Sequence, residues 1–301
     1  MNNIPLLRHS IIPFDLSMYS KSAFPIYAWF GLFFITLFWI LNWSLDGLRT
    51  HWGFFFLWLG YALFIDGLVF LKKGTSLIKR NTSLFILLFF ISIPAWWLFE
   101  LFNLMTQNWF YDGKQYFTNL EYFLLSSLSF STVMPAVFGT AELAGTFKWV
   151  KNISFNKKLL PDSKTLTISA ASGVAIISLI IFFPEVFYPF VWISVFLLIE
   201  PLNFKLKNKS LFEYTSSGEW RPVISLAIGG LICGFFWEMW NYYSYPKWKY
   251  YLPGVNVLHI FEMPLPGFIG YLPFSLELFA IYHFITGFFR IKSANNFIIP
   301  L

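Results

Sequence analysis

The sequence predicts an all-α membrane protein with several transmembrane helices. Of its 301 residues, 57% are hydrophobic, 23% are aromatic and only 12% are charged, which is too apolar for a single water-soluble core. A membrane-spanning helix needs about 20 mostly apolar residues. Eight segments of the sequence approach that requirement, at 23–42, 52–71, 83–105, 117–143, 166–183, 187–204, 223–243 and 267–289.

The distribution of basic residues predicts the orientation of these helices. Most of the 21 lysines and arginines lie in segment 1–21, in the loops after the second, fourth and sixth helices, and in the tail. The positive-inside rule therefore places both termini in the cytoplasm of a multi-pass cell-membrane protein. The net charge of +6 follows from this topology and does not indicate a nucleic-acid partner. Segment 1–21 lacks a continuous apolar run, so we predict a cytoplasmic interfacial arm rather than a signal peptide.

The chain contains an internal duplication. Residues of the second helix recur in the sixth at a constant shift of 134, and the matched pairs are Trp58/Trp192, Ile65/Ile199, Asp66/Glu200, Leu68/Leu202, Phe70/Phe204, Lys73/Lys207, Ser76/Ser210 and Leu77/Leu211. We predict two four-helix repeats, 22–147 and 166–301, joined by a basic cytoplasmic linker at 148–165. Because four helices return the chain to its starting side, the repeats are parallel and related by an axis along the membrane normal.

A second set of matched residues lies at the opposite end of the helices. Glu100, Asn103, Trp109 and Tyr111 recur as Glu238, Asn241, Trp248 and Tyr250. The next segment of the second repeat, 245–270, is rich in proline and glycine, which predicts a re-entrant or interfacial segment before the last helix. Asp66 and Glu200 precede lysine-rich loops, and we interpret them as ionic anchors.

Carboxyl groups in apolar segments are the main candidate site residues. Ionisable groups inside a membrane are costly unless they are paired or neutral, so they indicate function. We expect an acid or base at Glu238 and Glu262 first, and then at Glu100, Glu121 and Glu277. Glu100 and Glu238 are predicted to meet in one apolar chamber between the repeats. The alternative is that these acids only hold helices together by hydrogen bonds.

Polar and aromatic neighbours complete the predicted site. Asn103 and Asn241 share a helix face with Glu100 and Glu238, so we expect them to orient the carboxyl groups. The predicted substrate-binding residues are Asn103, Asn241, Trp109, Tyr111, Trp248, Tyr250, Trp237 and His259. Aromatic faces attract cations, so such walls beside a protonated acid suit the protonation of an alkene. Packing and interface anchoring are the alternative role for these rings.

Several classes of protein lack support in the sequence. There is no His-x-x-His or His-x-x-x-His box, no phosphate-binding Walker loop and no Gly-x-Ser-x-Gly elbow. Cys233 is the only cysteine, so an intrachain disulfide is excluded. We therefore expect no metal and no cofactor.

The order of motifs in the second repeat resembles a known family. A helix carboxylate at Glu238 is followed by Trp248-x-Tyr250, by Glu262-Met-Pro and by the proline-led run PFSLE, which ends at Glu277. This order is similar to that of the lycopene cyclase domain of carotenoid biosynthesis, whose small membrane units also occur in tandem. In that family the last run is Pro-Leu-Glu-Glu, and the adjacent glutamate pair is missing here. The resemblance implies a metal-independent membrane cyclase acting on an isoprenoid.

The sequence thus leads to three hypotheses. The first is an integral membrane enzyme that acts on an apolar isoprenoid-type lipid by carboxylic-acid proton chemistry, as a cyclase, isomerase or hydratase. The second is a proton-coupled transporter or channel, because protonatable acids and parallel repeats suit transport equally well. The third is a non-catalytic membrane scaffold. The expected partner is a membrane lipid or isoprenoid, and a homo-oligomer is compatible with all three.

Overall fold

The fold is a bundle of membrane helices, as the sequence predicts. The computed structural model describes residues 23–155, 157–255 and 257–301. Within these ranges eight helical segments are long and apolar enough to cross a membrane. They are Ile26–Ser44, Thr50–Lys73, Thr82–Thr106, Asn119–Gly145, Ser163–Phe182, Pro184–Lys205, Arg221–Tyr242 and Leu265–Phe288. The predicted all-α polytopic class is therefore confirmed. The predicted arm at 1–21 lies outside the described residues.

The helices are numbered here in chain order. The long ones are α1 Ile26–Ser44, α2 Thr50–Lys73, α4 Thr82–Thr106, α5 Asn119–Phe130, α6 Val133–Gly145, α8 Ser163–Phe182, α10 Val191–Lys205, α12 Arg221–Tyr242 and α13 Tyr271–Phe288. The short ones are α3 Leu77–Arg80, α7 Lys148–Lys151, α9 Pro184–Phe187 and α11 Leu211–Ser216. The described residues also form four short strands between helices: β1 Trp109–Asp112, β2 Lys247–Tyr250, β3 His259–Ile260 and β4 Met263–Pro264.

Three of the eight spans, the fourth, the sixth and the eighth, are irregular near the same end of the bundle. The fourth span is divided between α5 and α6 at Ser131 and Thr132. The Ser92 hydroxyl donates to the Phe130 carbonyl at 2.7 Å and accepts from the Met134 amide at 3.1 Å. Irregular backbone at membrane depth is stable only when its polar groups find such partners. The sixth span begins with α9 and a 3₁₀ turn, Tyr188–Phe190, before α10, and the eighth span begins with a 3₁₀ segment, Leu265–Gly270, before α13.

A two-stranded antiparallel ribbon joins the matched ends of α4 and α12. Strand β1 follows α4, strand β2 follows α12, and Trp109 pairs with Tyr250, Phe110 with Lys249 and Tyr111 with Trp248. Trp109 and Tyr111 of the first half recur as Trp248 and Tyr250 of the second. The tryptophan of each strand therefore pairs with the tyrosine of the other strand. This register is what a two-fold axis through the middle of the ribbon requires. We call this end of the molecule the ribbon face.

The opposite face carries the basic loops, and there Asp66 and Glu200 bind backbone amides. Asp66 Oδ1 accepts from the Ile78 amide at 3.0 Å, and Glu200 Oε1 accepts from the Phe212 amide at 3.1 Å. The two amides are also related by the shift of 134. The predicted ionic contacts with the lysine-rich loops are not what holds these two acids. Each carboxyl group instead accepts a backbone amide at the start of the short helix that follows it, and so caps that helix. The anchoring role itself is the same in both halves.

The helices of the two halves pack against each other through matched aromatic rings. Trp58 of α2 contacts Trp237 of α12 with ring centroids 5.1 Å apart, and Trp192 of α10 stacks on Phe99 of α4 at 5.4 Å. In the repeat, α10 is the counterpart of α2 and α12 is the counterpart of α4, so the two contacts are equivalent: each joins one half to the other in the same way. The equivalent contacts are those expected of a parallel repeat, while the exact repeat and linker boundaries stay a prediction.

Candidate ligand cavity and its carboxyl groups

A cavity of about 470 Å³ lies between the two halves near the ribbon face. This volume is in the usual range for ligand sites, about 300 to 1,000 Å³. Its walls include the aromatic side chains Trp96, Trp109, Trp192, Trp237, Trp248 and Tyr271. Tyr111, Tyr122 and Tyr250 also line it, together with Ser126 and Ser129 of α5. Strands β1 and β2 and all three irregular spans therefore contribute to one mainly aromatic cavity.

Glu100 lies behind the cavity wall contributed by the first half. Its Oε1 accepts hydrogen bonds from the indole N–H of Trp96 at 3.1 Å, the indole N–H of Trp109 at 3.0 Å, and the phenol of Tyr111. All three donors line the cavity, whereas Glu100 does not. The donors stabilise a carboxylate, because hydrogen bonds to a charged acceptor are stronger than neutral ones.

Glu238 occupies the equivalent position in the second half with a different set of donors. Its Oε1 accepts from the phenols of Tyr250 and Tyr271, both at 2.7 Å. The side chain is fully buried, and Oε2 has no hydrogen-bond partner within the described part of the chain. Both phenols line the cavity. Glu238 therefore has a free oxygen and two hydroxyl groups that connect it to the cavity.

The structure corrects the prediction that the two acids face one chamber. Aromatic donors separate each carboxyl group from the cavity, and each acid binds its own set of donors. The cavity exists, but its surface is formed by indoles and phenols. A ligand would meet those donors first and the carboxyl groups only through them.

An exchange of side chains distinguishes the two carboxyl sites. Trp96 precedes Glu100 by four residues, and the residue four before Glu238 is Gly234. A Cβ atom at Gly234 would lie 2.2 Å from Cδ2 of Tyr271. The absence of a side chain at Gly234 thus creates the space in which the Tyr271 ring packs. The second half replaces an indole donor from its own helix with a phenol donor from α13.

We predict that Gly234→Ala destabilises the protein and displaces Tyr271 from Glu238. The new methyl group overlaps the tyrosine ring, and overpacking of this kind costs about 1 to 3 kcal/mol. The measurement is thermal unfolding of the purified protein in detergent. Gly53→Ala is the matched control, because its Cβ would meet only Phe38, at an ordinary 3.8 Å. Equal melting temperatures for the two variants would contradict the packing described here.

Asn103 and Asn241 hold the strands rather than the carboxyl groups. The Asn103 side chain donates to the Trp109 carbonyl at 2.7 Å and accepts from the Trp109 amide at 3.1 Å. Asn241 makes the same two bonds to Trp248, at 2.7 and 3.0 Å. The prediction that these amides orient the glutamates is therefore wrong. They fix the backbone of the two strands and so position the indoles and phenols indirectly.

Four further predicted site residues, besides Glu100, Glu238 and the two asparagines, do not line the cavity. Glu121 is exposed and forms a capping box with Thr118 at the start of α5. Glu262 pairs with Lys247, and His259 is exposed on β3 instead of packing against the bundle. Glu277 is buried, and its Oε1 accepts from the amides of Val195 and Phe196 at 2.9 and 3.2 Å. Each carboxyl group has a local partner, which explains its position without a ligand.

Sequence reasoning did not single out several residues that contribute to the cavity. Tyr271 has no counterpart among the matched motifs, so the repeat does not reveal it. Trp192 is matched to Trp58 in the repeat but is not among the predicted site residues; its ring stacks on Trp109 with the centroids 5.8 Å apart. His51 and Lys114 line the cavity beside the ribbon, and their positions near the ends of predicted helices were the only available signal.

The phenols of the ribbon are neutral hydrogen-bond donors to their carboxyl partners. Burial, with the neighbouring carboxyl group adding to it, raises the pKa of Tyr250 well above its usual value. The same causes raise the pKa of Tyr111. Both phenols therefore stay protonated at neutral pH. A proton that leaves one of them must be replaced by its carboxyl partner.

These features define a polytopic helical membrane protein with an aromatic cavity between its two halves, a half-buried acid (Glu100) behind one wall and a fully buried acid (Glu238) behind the other. The chain matches no family model, no curated protein and no solved structure. Within the described residues, no group of three or more His, Cys, Asp and Glu side chains is arranged to hold a metal ion.

Proposed function

We propose that the protein is a membrane enzyme that transfers a proton to an apolar isoprenoid-type lipid in this cavity. The observation that supports the proposal best is the arrangement around Glu238. A fully buried acid contacts two phenols that line an aromatic cavity. A general acid must lie within hydrogen-bond reach of the group that it supplies with a proton.

The proposed reaction is an acid-catalysed rearrangement in which the enzyme donates one proton and recovers one. Protonated Glu238 donates from Oε1 to the oxygen of Tyr250 or Tyr271, and that phenol passes its own proton to an alkene carbon of the lipid. The resulting Glu238 carboxylate accepts both phenol hydrogens, as in the structure. The carbocation is attracted by the aromatic walls. A neighbouring carbon then loses a proton to the oxygen of the same phenol, which at the same time returns its own proton to Glu238; this gives an isomerised or cyclised product and restores the protonated acid.

The test uses the purified protein in nanodiscs with lycopene and, separately, squalene as probes. The proposal expects a product of unchanged mass for isomerisation or cyclisation, or of one added water for hydration. Extracted lipids are analysed by chromatography and mass spectrometry, with empty nanodiscs as the control. Recovery of both probes unchanged would count against an isoprenoid substrate of this type.

A transporter is the second candidate, and the irregular spans favour it. The divided fourth span and the 3₁₀ start of the eighth span both line the cavity, and interrupted helices are common at transporter sites. Uptake of a labelled isoprenoid into proteoliposomes, driven by a proton gradient and lost in Glu238→Gln, would favour transport over catalysis. We also propose that the ribbon face is extracellular, because the basic loops lie at the opposite face.

A further inference from the structure

The mouth of the cavity carries two basic side chains. Lys114, in the 3₁₀ turn after β1, and His51, in the first turn of α2, both line the cavity. The Lys114 ammonium lies 4.4 Å from the ring centroid of Tyr122. It makes no ion pair with the described residues, and the buried Nδ1 of His51 has no hydrogen-bond partner among them.

The other lysines of the ribbon are already neutralised. Lys247 pairs with Glu262, and Lys249 pairs with Asp112 at 2.8 Å. Lys247 also lines the cavity, but its ion pair with Glu262 carries no net charge. Lys114 is therefore the cavity-lining lysine that forms no ion pair with the described residues, and His51 supplies a second polar group at the same cavity.

We propose that the cavity takes a long-chain isoprenoid that ends in one anionic head group, a phosphate or a carboxylate. Lys114 and His51 bind the head group at the mouth, and the hydrocarbon chain lies along the indoles and phenols toward Tyr250 and Tyr271. Charge complementarity selects an acid over a neutral alcohol of the same chain. This inference rests on the proposed function, since it concerns the ligand of the same cavity.

The experiment compares three ligands of equal chain length. Binding of farnesyl phosphate, farnesoic acid and farnesol is measured by quenching of tryptophan fluorescence, in nanodiscs of neutral lipid. A charge-assisted contact is worth roughly a tenfold change in affinity or more. We expect at least one acid to bind about tenfold more tightly than farnesol. The better acid identifies the head group.

Variants assign that difference to Lys114. Lys114→Met keeps the length of the side chain and removes its charge, so we expect it to abolish the preference for the acid, measured as the ratio of the affinity for the acid to the affinity for farnesol in the same variant. His51→Gln should reduce the preference in part. Lys249→Met is the matched control, because it removes the same charge from the same ribbon without lining the cavity. A preference that survives Lys114→Met, or is lost equally in Lys249→Met, overturns the assignment.

The outcomes separate this inference from the proposed function. Equal binding of farnesol and both acids overturns the anionic head group, while the cavity remains an isoprenoid site. Failure of all three ligands to bind, with correctly folded protein shown by its melting temperature, overturns both. Tighter binding of an acid that requires Lys114 supports both.

Discussion

Glu238→Gln is expected to lower proton transfer to the lipid by about 100-fold or more. Glutamine keeps the size of the side chain and accepts a hydrogen bond at its carbonyl oxygen, but it has no acidic proton to supply. Removal of a general acid costs typically about 100-fold to 10,000-fold in rate. The measurement is deuterium incorporation into lycopene or squalene in heavy water, followed by mass spectrometry of the extracted lipid.

Matched variants separate this chemical effect from a loss of stability. Glu200→Gln also changes a fully buried glutamate, at the opposite face, and should leave incorporation unchanged in protein that remains folded. Tyr250→Phe and Tyr271→Phe each remove one donor to Glu238. Because residues of one relay act as a unit, Glu238→Gln combined with Tyr250→Phe should be no slower than Glu238→Gln alone. Full incorporation in Glu238→Gln would rule out this acid.

Asn241→Leu is expected to cause the largest loss of stability among the site variants. The substitution removes both hydrogen bonds to the backbone of Trp248 and leaves its amide and carbonyl without those partners. An unsatisfied buried polar group costs about 1 to 3 kcal/mol, so the sum is roughly 2 to 6 kcal/mol. Thermal unfolding in detergent gives the change, and a shift in tryptophan fluorescence should report the release of Trp248 from the cavity wall.

The repeat supplies a strict comparison for this variant. Asn103 makes the same pair of bonds to Trp109, so Asn103→Leu should lower the melting temperature by a similar amount. Asn152→Leu changes an exposed asparagine and should have little effect. A neutral Asn241→Leu would mean that the ribbon is held by its strand pairing alone.

The membrane fold is predictable from the sequence because the requirement for apolar length is strong and local. The eight predicted spans match the eight observed ones to within a few residues at each end, since charged or polar residues flank most of them. The ribbon was not predicted as a strand pair. Trp109 and Tyr250 lie 141 positions apart in the chain, and their pairing depends on how the two halves meet.

The candidate site was only partly predictable, because identical motifs have different surroundings in the two halves. Glu100 and Glu238 were found from their apolar context, and both are bound by aromatic donors. The role of Tyr271 could not be read from the sequence, since it depends on the space at Gly234 in a neighbouring helix. Glu262 and Glu277 matched the same apolar pattern but bind a lysine and two backbone amides.

We propose that an isoprenoid binds between the halves, against the aromatic walls that cover Glu238. Photolabelling with a diazirine derivative of farnesol, followed by peptide mass spectrometry, tests it most directly. We expect labelling of residues 246–273 and 109–133 that excess farnesol suppresses, and only unsuppressed labelling at exposed residues of α1 such as Trp29 and Phe30. Labelling confined to such exposed surfaces, or unaffected by excess farnesol, would mean that the cavity is not an isoprenoid-binding site.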